Sequence, residues 1–429
     1  MNYTQNNKIK QVDEKTLVVG VDIAKETHYA RVFDNRGIEL GKVIKFKSNI
    51  EGFRKLEEYI KEIKRREKKE KIIIGIEPTG HYWYTLANYV NKRGMKLVQV
   101  NPYHVKQAKE LDDNTPSKSD RKDPKTIAML VKDGRYNIPY MPVGIYAELR
   151  KTNEIREVIK KKIYAIKNRI ERWLDIYFPE YKKVFKGIYG KASMITLQTM
   201  ATPTQVLNYT AEEILEIWKK DVKRAVGIKR ANKLINIAKE SVGITEGLLM
   251  AKYEILYLVK EYKKVEQELN EIEEKLKILV YKIPGIEKAL TIKGIGIITI
   301  SGFIAEVGNI NRFSHPKQII KLAGLNLKET SSGKHKGKTT ITKRGRKRLR
   351  SLLFKAILPM VAKNNEFKLI HKYYTNRTKN PLKKKQSLIA LMAKLIKIIY
   401  TLIKKNIEYD PSKLINDIHG NKKIQFLTV

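Results

Sequence analysis

Four carboxylate side chains stand out in this sequence because of where they fall. Two of them end apolar runs that predict buried β-strands, and the other two lie three residues apart in one polar stretch. They are Asp22, Glu77, Asp120 and Asp123. Carboxylate oxygens suit Mg²⁺ or Mn²⁺, and a pair of such ions can hold the attacking and leaving oxygens of a phosphodiester. We therefore predict a metal site for phosphodiester chemistry at these four residues.

The charge of the chain predicts a nucleic-acid partner. Lys and Arg number 88 against 45 Asp and Glu, a formal net charge of +43 over 429 residues. Polyphosphate binding with release of counterions is the expected use of such an excess. The plain alternative is a solvated, lysine-rich surface. We favour the nucleic-acid interpretation because uncompensated charge of this size destabilises a compact state.

Composition also limits the other kinds of site. The chain has no cysteine, which excludes disulfides and cysteine-ligated zinc, and its seven histidines show no ligand-like spacing. The N-terminus lacks the apolar core of a signal peptide, and the apolar stretch near 295–305 is too short to span a bilayer. These features predict a cytoplasmic protein without a membrane partner.

The first block of the chain, residues 1–145, is predicted to be an α/β domain. Three strand-like runs are followed by alternating helices and strands, the order of an RNase-H-like (RuvC-like) mixed sheet; any small α/β domain is the alternative. The strands are expected at about 16–22, 28–33, 38–45, 71–76 and 95–100, and the helices at about 52–68, 81–93 and 124–133.

The second block, residues 146–282, is predicted to be helical with a coiled coil. Apolar residues recur at spacings of three and four from Ile255 to Leu279 and again from Ile159 to Tyr177. Two such helices can pair within one chain or with copies in a second chain. Between them lies an apparent insertion at about 181–243, with helix-start signals at Thr202-Pro203 and Thr210–Glu213.

The third block, residues 283–405, is predicted to be mainly α-helical and to contact nucleic acid, and a tail follows at 406–429. Glycines ahead of an apolar helical stretch resemble a helix-hairpin-helix turn, whose backbone amides can reach a phosphate. A polar loop at 329–333 precedes a basic run around a glycine. The predicted nucleic-acid contacts are Lys293, Gly294, Gly296, Lys343, Arg344, Arg346, Lys347, Arg348 and Arg350.

Taken together, these motifs resemble the DEDD transposases of bacterial and archaeal insertion sequences, the insertion-sequence one-ten family. The resemblance rests on the order and spacing of several segments and covers most of the chain, apart from the insertion and the tail. The segments are 19–25, 76–82, 101–102, 118–123, 292–312, 322–325, 331–333 and 342–345.

The resemblance implies a function and roles for named residues. In that family a RuvC-like domain binds metal, which assigns Asp22, Glu77, Asp120 and Asp123 as its carboxylates, and a C-terminal domain supplies a serine nucleophile, which falls on Ser332. Domains of different protomers form one composite site, so a homo-oligomer, a dimer or tetramer, is implied. Family members are guided by a structured noncoding RNA that pairs with donor and target DNA.

Alternative interpretations stay open for individual residues and for the whole chain. Asp123 precedes a proline and suits a helix N-cap, and Ser332 by itself is an ordinary Ser-Gly loop residue. His81 and Lys25 could assist near the metals or form structural hydrogen bonds. The rival functions are a junction-cutting nuclease that uses metal-activated water and a non-catalytic nucleic-acid-binding protein.

Overall fold

The computed structural model describes residues 5–112, 123–224, 226–328, 331–332, 335–337 and 339–414. Contacts between Cα atoms divide the chain into two compact units, Met1–Met141 and Pro142–Val429. The first unit contains, in order, α1 (Gln5–Ile9), β1 (Thr16–Asp22), β2 (Thr27–Phe33), β3 (Ile44–Lys47), α2 (Ile50–Arg66), β4 (Lys71–Ile76), α3 (Trp83–Lys92), β5 (Lys96–Val100), α4 (Pro102–Asp112), α5 (Asp123–Lys132) and β6 (Tyr136–Asn137).

A six-stranded mixed sheet forms the centre of the first unit. Its strand order is β3-β2-β1-β4-β5-β6. Strands β1, β4 and β5 are parallel, whereas β2, β3 and β6 pair antiparallel with their neighbours. Helices α2 and α3 pack on one face and α4 and α5 on the other. Strand β1 is buried along almost its whole length because both faces of the sheet are covered.

The predicted mixed α/β domain is confirmed, but the third strand lies elsewhere than predicted. It was expected at 38–45 and is found at Ile44–Lys47. The Asp34 carboxylate accepts hydrogen bonds from the backbone N–H groups of Arg36, Gly37 and Ile38, so this stretch begins with a tight turn. Helix α4 and the two-residue strand β6 were not predicted, because neither carries a clear apolar period.

The second unit is mostly helical, as predicted. Its first part contains α6 (Ile145–Tyr177), α7 (Tyr181–Val184), α8 (Lys191–Thr199), α9 (Pro203–Val206), α10 (Ala211–Lys219), α11 (Ile228–Lys239) and α12 (Leu248–Tyr281). Its second part contains α13 (Ile286–Leu290), α14 (Ile297–Val307), a 3-10 helix (Ile310–Arg312), α15 (Pro316–Leu322), β7 (Leu327–Lys328), β8 (Ser331–Ser332), β9 (His335–Lys336), β10 (Thr340–Ile341), α16 (Lys347–Lys363), α17 (Asn365–Asn376) and α18 (Lys384–Lys405).

Helices α6 and α12 pair with each other in one chain. Trp173 Nε1 donates to the carbonyl oxygen of Ala251 at 2.8 Å, and Arg156 Nε donates to Glu273 Oε1 at 2.7 Å, so the two helices run antiparallel. Their apolar stripes meet in one buried core that includes Ile166 and Leu258. Of the two pairings that the heptad pattern allowed, the structure shows the one within the chain.

The predicted insertion is a set of short helices, α7 to α11, and its start signals are confirmed. Thr202 and Thr210 each accept a hydrogen bond from the backbone N–H three residues on, and Gln205 and Glu213 complete the two capping boxes. The insertion shares the core that α6 and the first half of α12 form. It is therefore a packed part of the fold.

Helix α18 is the internal helix of a second hydrophobic core. It buries Leu391, Leu395 and Ile399, among others, against α13, α15, α16 and α17. Among the described residues it is the one helix that is long and apolar enough to cross a membrane by length and composition. The sequence analysis compared only the stretch near 295–305 with the length of a membrane span, and it did not predict that α18 is long enough.

Candidate functional site

Asp22 and Glu77 lie side by side at one edge of the sheet in the first unit. Asp22 is the last residue of β1, and Glu77 directly follows β4. These strands are parallel, and Val21 is in register with Ile76, so the two carboxylate residues occupy the next register position. Both side chains are half-buried. Adjacent strands lie about 4.8 Å apart, which brings two negative groups within the range of a shared cation.

Helix α5 brings Asp123 to the same edge, because two glycines allow the helix to lie directly on the sheet. Gly20 of β1 and Gly75 of β4 are register partners. A Cβ atom on Gly20 would lie 1.8 Å from the carbonyl oxygen of Pro124, and one on Gly75 would lie 2.4 Å from Val131 Cγ2. The first turn of α5, with Asp123 at its start, therefore rests on the C-terminal part of β1.

The Asp123 carboxylate and the Lys109 ammonium both act on the Glu77 carboxyl. Burial raises the pKa of the Glu77 carboxyl, the Lys109 ammonium lowers it, and the Asp123 carboxylate raises it. Lys109 Nζ lies 2.5 Å from Asp123 Oδ1. A positive group thus lies beside the carboxylates, as expected where close negative charges need a cation. Nothing in the sequence pattern pointed to Lys109, which comes from the unpredicted helix α4.

The donor set suits a hard divalent cation in its chemistry, although it is incomplete in the described part of the chain. Asp22, Glu77 and Asp123 supply oxygen atoms, which Mg²⁺ and Mn²⁺ prefer. Asp120 lies outside the described residues. Among the residues that are described, no three Asp, Glu, His or Cys side chains form a group that could hold a metal ion.

His28 is a buried residue near this edge that the sequence reading did not single out. Its Nδ1 accepts the backbone N–H of Ala24 at 3.2 Å, which ties down the loop after Asp22. The ring packs against Phe46 and Phe53, and its burial lowers the pKa of the imidazole to about 4. His28 is therefore neutral at physiological pH. The signal that could have revealed it is its inward position in the alternating strand β2.

His81 and Lys25 lie on the loops that follow Glu77 and Asp22. Both side chains are exposed. The His81 ring contacts the ring of Tyr82, with centroids 4.4 Å apart. Their positions are compatible with either of the interpretations that the sequence left open.

In the second unit, Ser332 lies on a short β-ribbon. It pairs with His335 in the antiparallel pair β8 and β9, and β7 pairs with β10 on either side of this segment in the sequence. The sequence reading expected a polar loop at 329–333. The backbone at Ser331 and Ser332 is instead extended and paired, because a second polar segment, His335–Lys336, supplies the partner strand.

The basic run at 343–350 contains two arginines that bond the rest of the fold and four cations that are exposed to solvent. Arg346 Nη1 donates to the carbonyl oxygen of Glu306 at 2.8 Å, and Arg350 Nη1 donates to that of Ala323 at 2.9 Å. These two arginines hold the run against α14 and α15. The exposed cations of the run are Lys343, Arg344, Lys347 and Arg348.

The same contacts join two motifs that are separate in the sequence. The backbone N–H of Lys343 donates to the carbonyl oxygen of Gly324, and that of Arg346 donates to the carbonyl oxygen of Leu322. The segment 322–325 and the basic run thus form one structural element. In the predicted helix-hairpin-helix, Lys293, Gly294 and Gly296 are exposed between α13 and α14.

Two family models match this chain. One, described as a transposase model of the DEDD type in the IS110 family, matches residues 19–179. The other, described as the transposase IS116/IS110/IS902 family, matches residues 286–374. Together they cover more than half of the sequence. The chain belongs to the IS110 family of transposases.

Curated relatives resemble only part of this IS110-family chain. The transposase for insertion sequence element IS1111A of Coxiella burnetii is 30% identical over 117 residues, which are 27% of this chain and 31% of the relative. The pilin gene-inverting protein of Moraxella bovis is 31% identical over 122 residues, 28% of this chain and 37% of the relative. The similarity thus spans about a third of these relatives' length.

The two matched segments contain the two candidate regions, and neither of them includes the insertion. The four predicted carboxylates lie within 19–179, and Ser332 and the basic run lie within 286–374. Helices α7 to α11 lie between the two matched segments. The predicted roles of the site residues remain predictions, since family membership does not assign chemistry to individual side chains.

Proposed function

We propose that this IS110-family protein is a transposase or recombinase that cleaves and exchanges DNA strands. The observation that carries the proposal is the placement of Asp22 and Glu77 on adjacent parallel strands, with the Asp123 carboxylate close enough to raise the pKa of Glu77. The strand order of the sheet, with three antiparallel strands ahead of two parallel ones, supports an RNase-H-like assignment. The similarity to a transposase and to a gene-inverting protein supports the same class of function.

The carboxylates would hold Mg²⁺ or Mn²⁺, with Asp120 completing the set. A bound divalent ion would neutralise the scissile phosphate and stabilise the charge that builds up on its oxygens. The protein's own part is to fix the ligands. Buried strands hold Asp22 and Glu77, α5 holds Asp123, and His28 fastens the loop after Asp22.

Ser332 would act as the nucleophile. Its Oγ forms a bond to phosphorus while the bond from phosphorus to a deoxyribose oxygen breaks, and the serine proton ends on the departing oxygen. The resulting phosphoserine keeps the energy of the phosphodiester, so a second DNA hydroxyl can displace the serine and rejoin the strands without ATP. Cationic groups near the serine would favour the attack by stabilising the negative charge.

The partners are part of the same proposal. Donor and target DNA, a structured noncoding RNA and further copies of the chain in a dimer or tetramer would complete the assembly, and its proposed location is the cytoplasm. The exposed cations Lys293, Lys343, Arg344, Lys347 and Arg348 are suited to phosphate contact. The apolar seam of α12 contributes little to assembly, because α6 already covers it within the chain.

A covalent-trapping experiment tests the nucleophile. A stalled reaction should leave DNA attached to the peptide that contains Ser331 and Ser332, and mass spectrometry should place the link on Ser332. The Ser332→Ala protein should bind DNA normally and form no adduct, whereas Ser331→Ala should behave as the wild type. Product formation by Ser332→Ala without any adduct would instead establish the water-using nuclease.

A further inference from the structure

The insertion of helices α7 to α11 is a defined structural element that the family matches do not cover. Trp218 Nε1 donates to Thr196 Oγ1 at 2.8 Å, and the Tyr181 hydroxyl donates to the carbonyl oxygen of Ser193 at 2.8 Å, all in buried positions. Buried, fully paired polar groups fix one packing arrangement. The surface of the insertion is therefore a fixed surface.

Charge is strongly segregated within this insertion. Residues 181–199 contain four basic residues and no acidic ones, residues 200–218 contain three acidic residues and no basic ones, and residues 219–239 contain eight basic residues and one acidic residue. These segments belong to the same folded element, so the general basicity of the chain does not explain the difference. The highest density of positive charge in the insertion therefore lies in residues 219–239.

The structure gathers these cations at one corner. Helix α10 ends at Lys219 and α11 begins at Ile228, so the basic residues of the connecting turn and of both helix ends lie close together. We call this surface the α10–α11 corner, and all its defining residues are exposed: Lys219, Lys220, Lys223, Arg224, Lys229 and Lys233.

Helix α11 continues the corner as a polar stripe. Lys229, Asn232, Lys233 and Asn236 follow the spacing of one helix face and are exposed, while Ala231, Leu234 and Ala238 face the core. The exposed stripe carries cations and amides and no large apolar residue. Protein interfaces are depleted in lysine at their centres, so this composition fits phosphate and base edges better than a protein partner.

One cation of α11 serves the fold and is not part of the corner. Arg230 packs over the Phe185 ring at 5.0 Å and donates to the carbonyl oxygen of Val184 at 3.1 Å. In the described part of the chain, none of the six corner residues forms an ion pair with a carboxylate, and the one acidic residue of the same turn, Asp221, is exposed. The first turn of α11 also lacks an acidic residue, and cations at that helix end are unfavourable without an anionic partner.

We propose that the α10–α11 corner docks the backbone of duplex DNA, with the exposed stripe of α11 along the major groove. The helix is about 18 Å long, and the major groove of B-DNA is about 12 Å wide and admits a helix. The deep, narrow major groove of an A-form RNA duplex does not. None of the corner residues is among those proposed for catalysis.

The test compares two full-length variants that lose equal charge. One carries Lys220→Gln, Lys223→Gln, Lys229→Gln and Lys233→Gln; the control carries Lys161→Gln, Lys260→Gln, Lys264→Gln and Lys275→Gln, four exposed lysines of α6 and α12 outside the corner and α11. Binding of a B-DNA duplex, and of an RNA duplex of the same sequence, is measured by fluorescence anisotropy over a range of KCl concentrations. For the corner variant, the slope of log K against log salt should fall in magnitude by about 3 to 4, and for the control by less than about 1.

The outcomes separate this proposal from the proposed function. Equal slopes for the two variants would overturn it, and so would a loss confined to an RNA duplex with DNA binding unchanged. Circular dichroism checks that both variants keep the helical content of the wild type. The Asp22→Ala protein should bind DNA with the wild-type slope, so a failure of the catalytic assignment leaves this result interpretable.

Discussion

The two candidate regions of the molecule are held in place by different means. Asp22 and Glu77 end strands that are buried on both faces, and Asp123 begins a helix that rests on backbone glycines. Ser332 instead lies on a ribbon of two-residue strands held by a few backbone hydrogen bonds. A metal site needs ligand positions fixed to fractions of an ångström, which a core can supply. If Ser332 is the nucleophile, as proposed, we expect the bound DNA to contribute more to its position than the ribbon does.

If this difference holds, loss of a metal ligand should have the largest effect of all. Asp22→Ala should reduce the rate of strand exchange by at least about 1,000-fold, which corresponds to ~4 kcal/mol in activation free energy. The reason is that the bound cation would lose one of its protein ligands. Glu77→Ala should behave alike. Recombination is measured with a two-plasmid assay in Mg²⁺, and Asp133→Asn, on the turn after α5, serves as the control. Wild-type activity of Asp22→Ala would remove the metal assignment.

A substitution inside the sheet should damage the first region without touching a carboxylate. In Gly20→Ala the new Cβ would meet the carbonyl oxygen of Pro124, so α5 must move away from β1 and carry Asp123 with it. We expect the free energy of unfolding to fall by about 2 to 3 kcal/mol, together with a loss of activity.

Urea unfolding measures the change in stability, and Gly187→Ala is the matched control because nothing lies within 4 Å of its added Cβ. A Gly20→Ala protein as stable and as active as the wild type would show that the close approach of α5 does not position the site.

The smallest expected effect is a pH dependence that comes from His28. Its pKa is about 4 in the folded protein, below the ordinary value of 6.5, so the unfolded chain binds more protons between these pH values. The stability due to the neutral imidazole is therefore complete above pH 6.5 and decreases as the pH falls towards 4. Between pH 7.5 and 5 the free energy of unfolding should drop by about 1 to 2 kcal/mol.

The fall in the free energy of unfolding between pH 7.5 and 5 is measured for the wild type and for His28→Asn, whose side chain cannot titrate in this range. The difference between the two values is the contribution of His28. An identical pH dependence for the two proteins would show that His28 is not held neutral by burial, and that it contributes less to fixing the Asp22 loop than the contact with Ala24 implies.

Much of the fold followed from local patterns, and the errors have local causes as well. The apolar runs located β1 and β4 and hence the two carboxylates at their ends, and both capping boxes were found where predicted. The third strand begins later than predicted, because the Asp34 turn reaches residue 38 and Glu39 forms only an isolated bridge to Phe33 before the strand at Ile44–Lys47. The basic run was found, but which of its arginines serve the fold depended on distant carbonyl groups, those of Glu306 and Ala323.

What the sequence determined by itself is the character of each segment: strands that end in carboxylates, a helix with an apolar stripe, a basic turn. Periodicity and end signals are properties of neighbouring residues, so they can be read along the chain. The tertiary structure alone decided which partner each segment meets. It placed α6 against the stripe of α12, α5 on Gly20 and Gly75, and Lys109 beside Asp123. A local pattern specifies a face, whereas the shape and charge of the surface that covers it come from residues far away in the sequence.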